Sequence, residues 1–218
     1  MNVNHVTIDI SINKAFDGVY QIPTFQRDFK WKEDDIAQFA ESVLQGLPCG
    51  SIVIWDPVNS PNVQSDLIKV PLNKKVTKNT KFRYFNPQAK PFNYKVVIDG
   101  RQRITSLAIV FGGFTGNHGA EGKYFIDLNS SNINGSVSFM KMSDILANGF
   151  NQETKWLECG LFPLSTFESE ESKPVKNRFN DHWSYIHQIV KAKGSKQQKI
   201  RDKQILDYVG SVVMAELE

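Results

Sequence analysis

Tyr94-Lys95-Val96-Val97-Ile98-Asp99-Gly100-Arg101-Gln102-Arg103-Ile104-Thr105-Ser106-Leu107-Ala108 is the stretch on which the fold turns. As far as Ile98 it is an apolar run suited to a buried strand; beyond Asp99 the apolar residues Ile104, Leu107, Ala108 and Phe111 recur at helical spacing. The change of period at Asp99-Gly100 predicts strand, tight turn and helix start. Such a helix start presents unpaired backbone N–H groups and the positive end of the helix dipole, and two arginines add planar forks suited to phosphate oxygens. Arg101 and Arg103 are two apart, so they face one ligand only in the non-helical or first-turn geometry of a cap. The spacing alone divides evenly between a phosphate cradle and a solvated helix start with Asp99 as N-cap.

Working upstream, Val6, Ile8 and Ile10 alternate with polar residues and predict a short first strand. The segment 19–31 is extended around Pro23, and its aromatics Phe25, Phe29 and Trp31 are expected to pin the loop to the core. Pinning would hold the polar pair Gln26-Arg27 near a site, where an amide can bond a base or sugar and a guanidinium a phosphate. Ile36, Phe39, Ala40, Val43 and Leu44 mark an amphipathic helix, with Glu33, Asp34 and Asp35 suiting its N-terminal dipole, Gly46 closing it and Pro48 preventing its continuation. Residues 51–55 then read as a buried strand.

Residues 56–93 dissolve into prolines, asparagines and lysines, as in a long insertion. Between Leu67 and Lys95 there are Lys69, Lys74, Lys75, Lys78, Lys81, Arg83, Lys90 and Lys95 with no acidic residue, interleaved with Phe82, Tyr84, Phe85, Phe92 and Tyr94. Lysines that release counterions and rings that stack make this a candidate DNA contact, centred on Lys74, Lys75, Lys78, Lys81 and Arg83. A solvated loop is the even alternative. Downstream, 112–119 reads as a glycine-rich link and 123–127 as a strand; helical patches lie at 140–147 and over 179–208. The domain division is 1–130, then a mainly helical extension 131–218, with no internal repeat.

With 218 residues, 40% hydrophobic and 22% charged, the chain has the composition of a folded soluble protein, and a net charge of +3 does not by itself imply nucleic acid. No apolar run reaches the roughly 20 residues of a membrane span, and the N-terminus lacks a signal-peptide pattern, so no membrane partner and a cytoplasmic location are expected. Cys49 and Cys159 read as small core residues. Gly122-Lys123 is no P-loop, because Asn117 and Tyr124 stand where glycine and a hydroxyl residue are required. His5, His118, His182 and His187 have no zinc spacing, and no metal site is expected from the protein side chains. The ending Ala215-Glu216-Leu217-Glu218, directly after an apolar run, suggests a fragment.

Ile22-Pro23 through Gln26-Arg27, Trp31, the segment Glu41 to Pro48, Gly50-Ser51-Ile52 and Asp99-Gly100-Arg101-Gln102-Arg103 occur in an order that resembles the N-terminal domain of GmrSD-type restriction proteins over about residues 6–130. That domain resembles the ParB/sulfiredoxin-like fold, an α+β arrangement of a small mixed sheet with flanking helices. Its hallmark is written DGQQR, and here Arg101 replaces the first glutamine. The resemblance implies a nucleotide-binding, NTP-hydrolysing site, with Asp99 and Arg103 catalytic and Gln26, Arg27, Gly100, Arg101, Gln102 and Arg103 binding the nucleotide. GTP, UTP and ATP are not distinguished, and Mg2+ would accompany them. It also implies a DNA partner, modified DNA included, in defence against phage, and a C-terminal HNH-type nuclease domain or partner subunit that these residues do not contain. Two other readings stand beside it: a non-catalytic DNA-binding module using the same cations for backbone phosphates, and a ParB-like nuclease.

Overall fold

The computed structural model describes residues 6–57, 63–71, 82–85, 88–89, 93–112, 122–127, 135–151, 155, 159, 161–165 and 216–217. The chain is α+β. Its central sheet has the order β3-β7-β2-β4, formed by β3 (Val53–Trp55), β7 (Lys95–Asp99), β2 (Tyr20–Pro23) and β4 (Ser65–Leu67). β2 and β7 are parallel, with Tyr20 opposite Lys95 and Gln21 opposite Val96, while β3 and β4 run antiparallel to their neighbours. A second, antiparallel sheet has the order β10-β8-β9, from β10 (Leu161–Pro163), β8 (Gly122–Asp127) and β9 (Val137–Lys141). The hairpin strands β5 (Lys69–Pro71) and β6 (Phe82–Tyr84) pair with each other, and β1 (Val6–Thr7) pairs with β11 (Glu216–Leu217).

The helix-forming segments behave as their periods dictate, with one correction. The alternation Val6, Ile8, Ile10 is not a strand: after the two residues of β1 the chain turns into α1 (Ile8–Phe16). The longer pattern wins, because Ile8, Ile12 and Ala15 fall at i, i+4, i+7 and are all buried, whereas Ile10 is exposed. α2 (Glu33–Leu44) buries Ile36, Ala40, Val43 and Leu44 as its sequence predicts, while Phe39 is only half-buried and Ala37 joins the buried face. It ends at Gly46, whose φ of +66° permits the Schellman pair of bonds from Gly46 N–H to Val43 O and from Leu47 N–H to Ser42 O. α3 (Arg101–Val110) follows β7 directly, and the short α4 (Met142–Ala147) follows β9.

The interior is one apolar cluster. Ile22 and Val97 of the central sheet, Ile12 of α1, Ile36 and Leu44 of α2, Ile104 and Ala108 of α3, and Tyr124 and Phe125 of β8 all belong to it. α1 and α2 both pack on α3, and α2 also packs on β9. The buried Glu41 of α2 fixes that contact by accepting the backbone N–H of Val137 at 3.0 Å. The β8–β9–β10 sheet straddles residue 130, and the described residues beyond it include β9, β10 and β11 as well as α4. The helical region expected over 179–208 lies outside the described residues.

Three other expectations change. The region 56–93 carries structure of its own, since β4 is an edge strand of the central sheet and β5–β6 form a hairpin. The strand expected at 51–55 is shorter and only half-buried. Of the cysteines, Cys49 is half-buried against the edge of the core and Cys159 is exposed, so neither is a buried core residue; neither forms a disulfide among the described residues.

Candidate functional site

The β7–α3 junction gathers the residues that the sequence singled out. Gly100 is the N-cap of α3 at φ +98°, and a Cβ placed on it would stand 3.1 Å from both Cα and Cγ1 of Ile52. Only glycine adopts that backbone at no cost while letting the 48–52 segment approach so closely. The cap carries no side-chain bond, so Asp99 is not the N-cap. Its carboxylate instead accepts Arg103 Nη2 at 2.6 Å, and the same nitrogen donates to Ser51 O at 2.7 Å.

The side chains of α3's first turn reach into the 24–32 loop. Arg101 is only 6% exposed; its Nη1 donates to Arg27 O at 2.6 Å and to Gln26 O at 3.4 Å, and its Nη2 lies 3.4 Å from Asp28 Oδ1. Gln102 completes the clamp from the next position. Its Oε1 accepts the N–H groups of Lys30 at 2.9 Å and Trp31 at 3.2 Å, and its Nε2 donates to Asp28 O at 3.2 Å. Gln26 returns the contact by donating Nε2 to Ile98 O at 2.7 Å, on the strand that leads to Asp99. The loop is further held by Phe29, fully buried, and by Trp31, whose ring meets Phe39 edge-on at 5.2 Å.

Electrostatics separate the two arginines. Burial pulls the Arg101 guanidinium below its ordinary value and Asp28 opposes the shift, yet arginine stays charged at any ordinary pH. Asp99 is 67% exposed, and the Arg103 guanidinium, helped by the Gly100 N–H, holds its carboxyl below the usual carboxylate range. Burial pushes the neighbouring Cys49 thiol up against the opposing charge of Arg103, so it is not an activated thiolate.

Gln26, Arg27, Asp99, Gly100, Arg101, Gln102 and Arg103 thus converge on one junction. Within it Asp99 and Arg27 are exposed, Arg103 is half-buried, and Arg101 turns inward onto the loop. Phe25 departs from its expected anchoring role and is exposed. Of the candidate DNA residues, Lys74, Lys75, Lys78 and Lys81 lie outside the described residues, and Arg83 stands opposite Val70 in the β5–β6 hairpin. Asp28 and the carbonyls of Ser51 and Ile98 are parts of the junction that sequence reasoning missed. A carbonyl leaves no trace in a side-chain pattern, and the one signal for Asp28 was its place between Arg27 and Phe29. Among the described residues no three His, Cys, Asp or Glu side chains cluster as a metal site, and no helix is long and apolar enough to cross a membrane.

The chain is 29% identical over 217 residues to MJ0686 of Methanocaldococcus jannaschii, itself described as uncharacterized, a match covering 88% of this chain and 35% of that protein. The chain therefore spans about a third of the length of that relative. The family model of the GmrSD restriction endonuclease N-terminal domain matches residues 8–212, well over half of the chain, and takes in β2, the 24–32 loop, α2, β7 and α3. The chain belongs to the GmrSD restriction endonuclease N-terminal domain family.

Proposed function

We propose that the chain is the nucleotide-binding, NTP-hydrolysing sensor domain of a DNA-targeting, modification-dependent restriction protein, built on a ParB/sulfiredoxin-like fold. The observation that carries this reading is the Asp99–Arg103 pair, set at the start of α3 beside an exposed Arg27, in a member of this family. Phosphate oxygens would be met by the N-terminal backbone of α3 and by the guanidiniums of Arg103 and Arg27. Gly100 lets the backbone approach, and Arg101, Gln102 and Gln26 serve the site by fixing the loop that carries Arg27.

In hydrolysis, Arg103 neutralises charge that builds on the transferred phosphoryl group, and Asp99 orients the attacking water. A magnesium ion accompanying the nucleotide would have Asp99, the exposed carboxylate of the turn, as the residue to hold it. It would supply further neutralisation of the phosphates. The basic segment with Lys74, Lys75, Lys78, Lys81 and Arg83 would hold the DNA, and cleavage would belong to a nuclease domain or partner subunit outside these residues.

Phosphate release measured with each NTP, with and without DNA bearing candidate modifications, tests the reading. Turnover is expected for at least one NTP, and Asp99→Ala and Arg103→Ala should each abolish it while circular dichroism stays unchanged. Turnover that survives in either variant would remove the catalytic assignment. No release under any condition, with DNA still bound in a steeply salt-dependent way, would replace it with a non-catalytic DNA-binding module.

A further inference from the structure

The 24–32 loop carries three aromatic side chains, and two of them anchor it. Phe29 is fully buried and Trp31 packs on Phe39. Phe25 is 78% exposed, more than any other large apolar side chain among the described residues, and it makes no ring contact among them. An exposed phenylalanine is ordinary in itself. The backbone beneath this one is not: Thr24 donates both its N–H and its hydroxyl to Gln64 O, at 3.0 and 3.3 Å, and Gln26 N–H donates to Pro23 O at 3.0 Å. On the far side, Gln26 is tied to Ile98 O through its amide and to Arg101 through its carbonyl. A large flat ring is therefore held out in solvent by a mount fastened on both sides.

Its surroundings decide what such a ring would meet. The sequence neighbours Thr24, Gln26 and Arg27 are polar or charged, and the exposed apolar residue tied to this part of the loop is Ile98, 42% exposed, so the apolar surface falls short of a protein partner's core patch. Arg27 is exposed two positions on, and the Gln26–Ile98 bond sets the ring's mount one residue from Asp99 and the start of α3. A π-face beside cations and helix N–H groups is complementary to a nucleobase that carries phosphates. We propose that Phe25 is the stacking platform for the base of a mononucleotide whose phosphates bind at the Asp99–Arg103 turn. The inference rests on the nucleotide reading above and adds to it the seat of the base. Stacking tolerates any base, so Phe25 supplies affinity rather than choice among bases.

Calorimetric titration of the purified chain, its Phe25→Ala variant and its Phe25→Trp variant tests this, with the four NTPs, inorganic tripolyphosphate and a short single-stranded DNA as probes. The Phe25→Ala variant should bind NTP at least about tenfold more weakly and bind tripolyphosphate like the parent chain. The Phe25→Trp variant should keep NTP affinity, with its added emission quenched by NTP and untouched by tripolyphosphate. Unchanged NTP affinity in Phe25→Ala would overturn the platform while leaving the phosphate site standing. A loss confined to single-stranded DNA would overturn it in favour of a base in a strand. If the parent chain binds neither NTP nor tripolyphosphate, the nucleotide reading itself falls, and the platform with it.

Discussion

Arg101 and Arg103 have the same side chain two positions apart, yet the backbone sends them to opposite tasks. Arg101 leaves the cap pointing into the 24–32 loop, where two carbonyls and Asp28 meet both Nη atoms of a buried charge, while its Nε is left without a protein partner among the described residues. Arg101→Ala removes those bonds, of which only the 2.6 Å bond to Arg27 O is short, and a loss of about 2 kcal/mol in denaturant stability is expected, since one good bond to a charged group is worth about 1.5–3 kcal/mol. Arg103, half-buried, pairs with the exposed Asp99. Asp99 has its folded pKa lowered from an ordinary value of 3.8, so its stabilisation is present above that value and lost as pH falls through the lower folded one. The group is mostly exposed, and solvent screening keeps the effect below about 1 kcal/mol. Asp99→Asn should therefore be slightly less stable than the parent at pH 7, and urea melts in strong acid should show the difference gone.

At the scale of the element, the unit is a strand, a helix start and the loop clamped across them. Gln102 satisfies two backbone N–H groups and one carbonyl of the loop at once. Gln102→Leu leaves those groups without their partner, so amide exchange at Lys30 and Trp31 should quicken markedly; unchanged exchange would mean that Arg101, Phe29 and Trp31 hold the loop without it. Gly100→Ala tests the close approach. Both its left-handed φ and its 3.1 Å contact with Ile52 oppose a side chain, and a destabilisation of about 1–3 kcal/mol is expected from chemical denaturation. The strand-to-helix switch at Asp99-Gly100 was plain in the sequence because the period changes there from apolar run to helical spacing. The clamp was not, because Gln102 and its partners are 71 to 74 positions apart and its partners are backbone atoms.

Across the whole molecule, α2 joins the two sheets. It packs on α3, which covers the central sheet's junction, and on β9 of the second sheet through the Glu41 to Val137 bond. Glu41→Ala strands a buried N–H, at a cost of about 1–3 kcal/mol. Because the apolar cluster is continuous across α1, α2, α3 and β8, this loss should appear equally in tryptophan fluorescence, which includes Trp31 against α2 and Trp55 in β3, and in far-ultraviolet dichroism. Divergent midpoints would show that the sheets unfold separately. Glu41 carried no sequence signal of this role: it sits on the helix as one more carboxylate, and its partner is a main-chain amide nearly a hundred residues away.

By itself the sequence determined the elements whose cause is local. The α2 periodicity with its Gly46 stop, the β7 run and the Asp99-to-Arg103 turn are each set by side-chain period and backbone freedom within a few residues. It also determined which separated motifs belong together, since those motifs lie within the span that the family model matches. Tertiary structure alone decided what each residue of the turn faces. Whether a guanidinium meets solvent or a loop carbonyl, whether Phe25 anchors or stands free, and whether Ile8 begins a helix or continues a strand are settled by contacts between segments far apart in the chain. Those contacts depend on distance and burial, which a linear pattern does not encode.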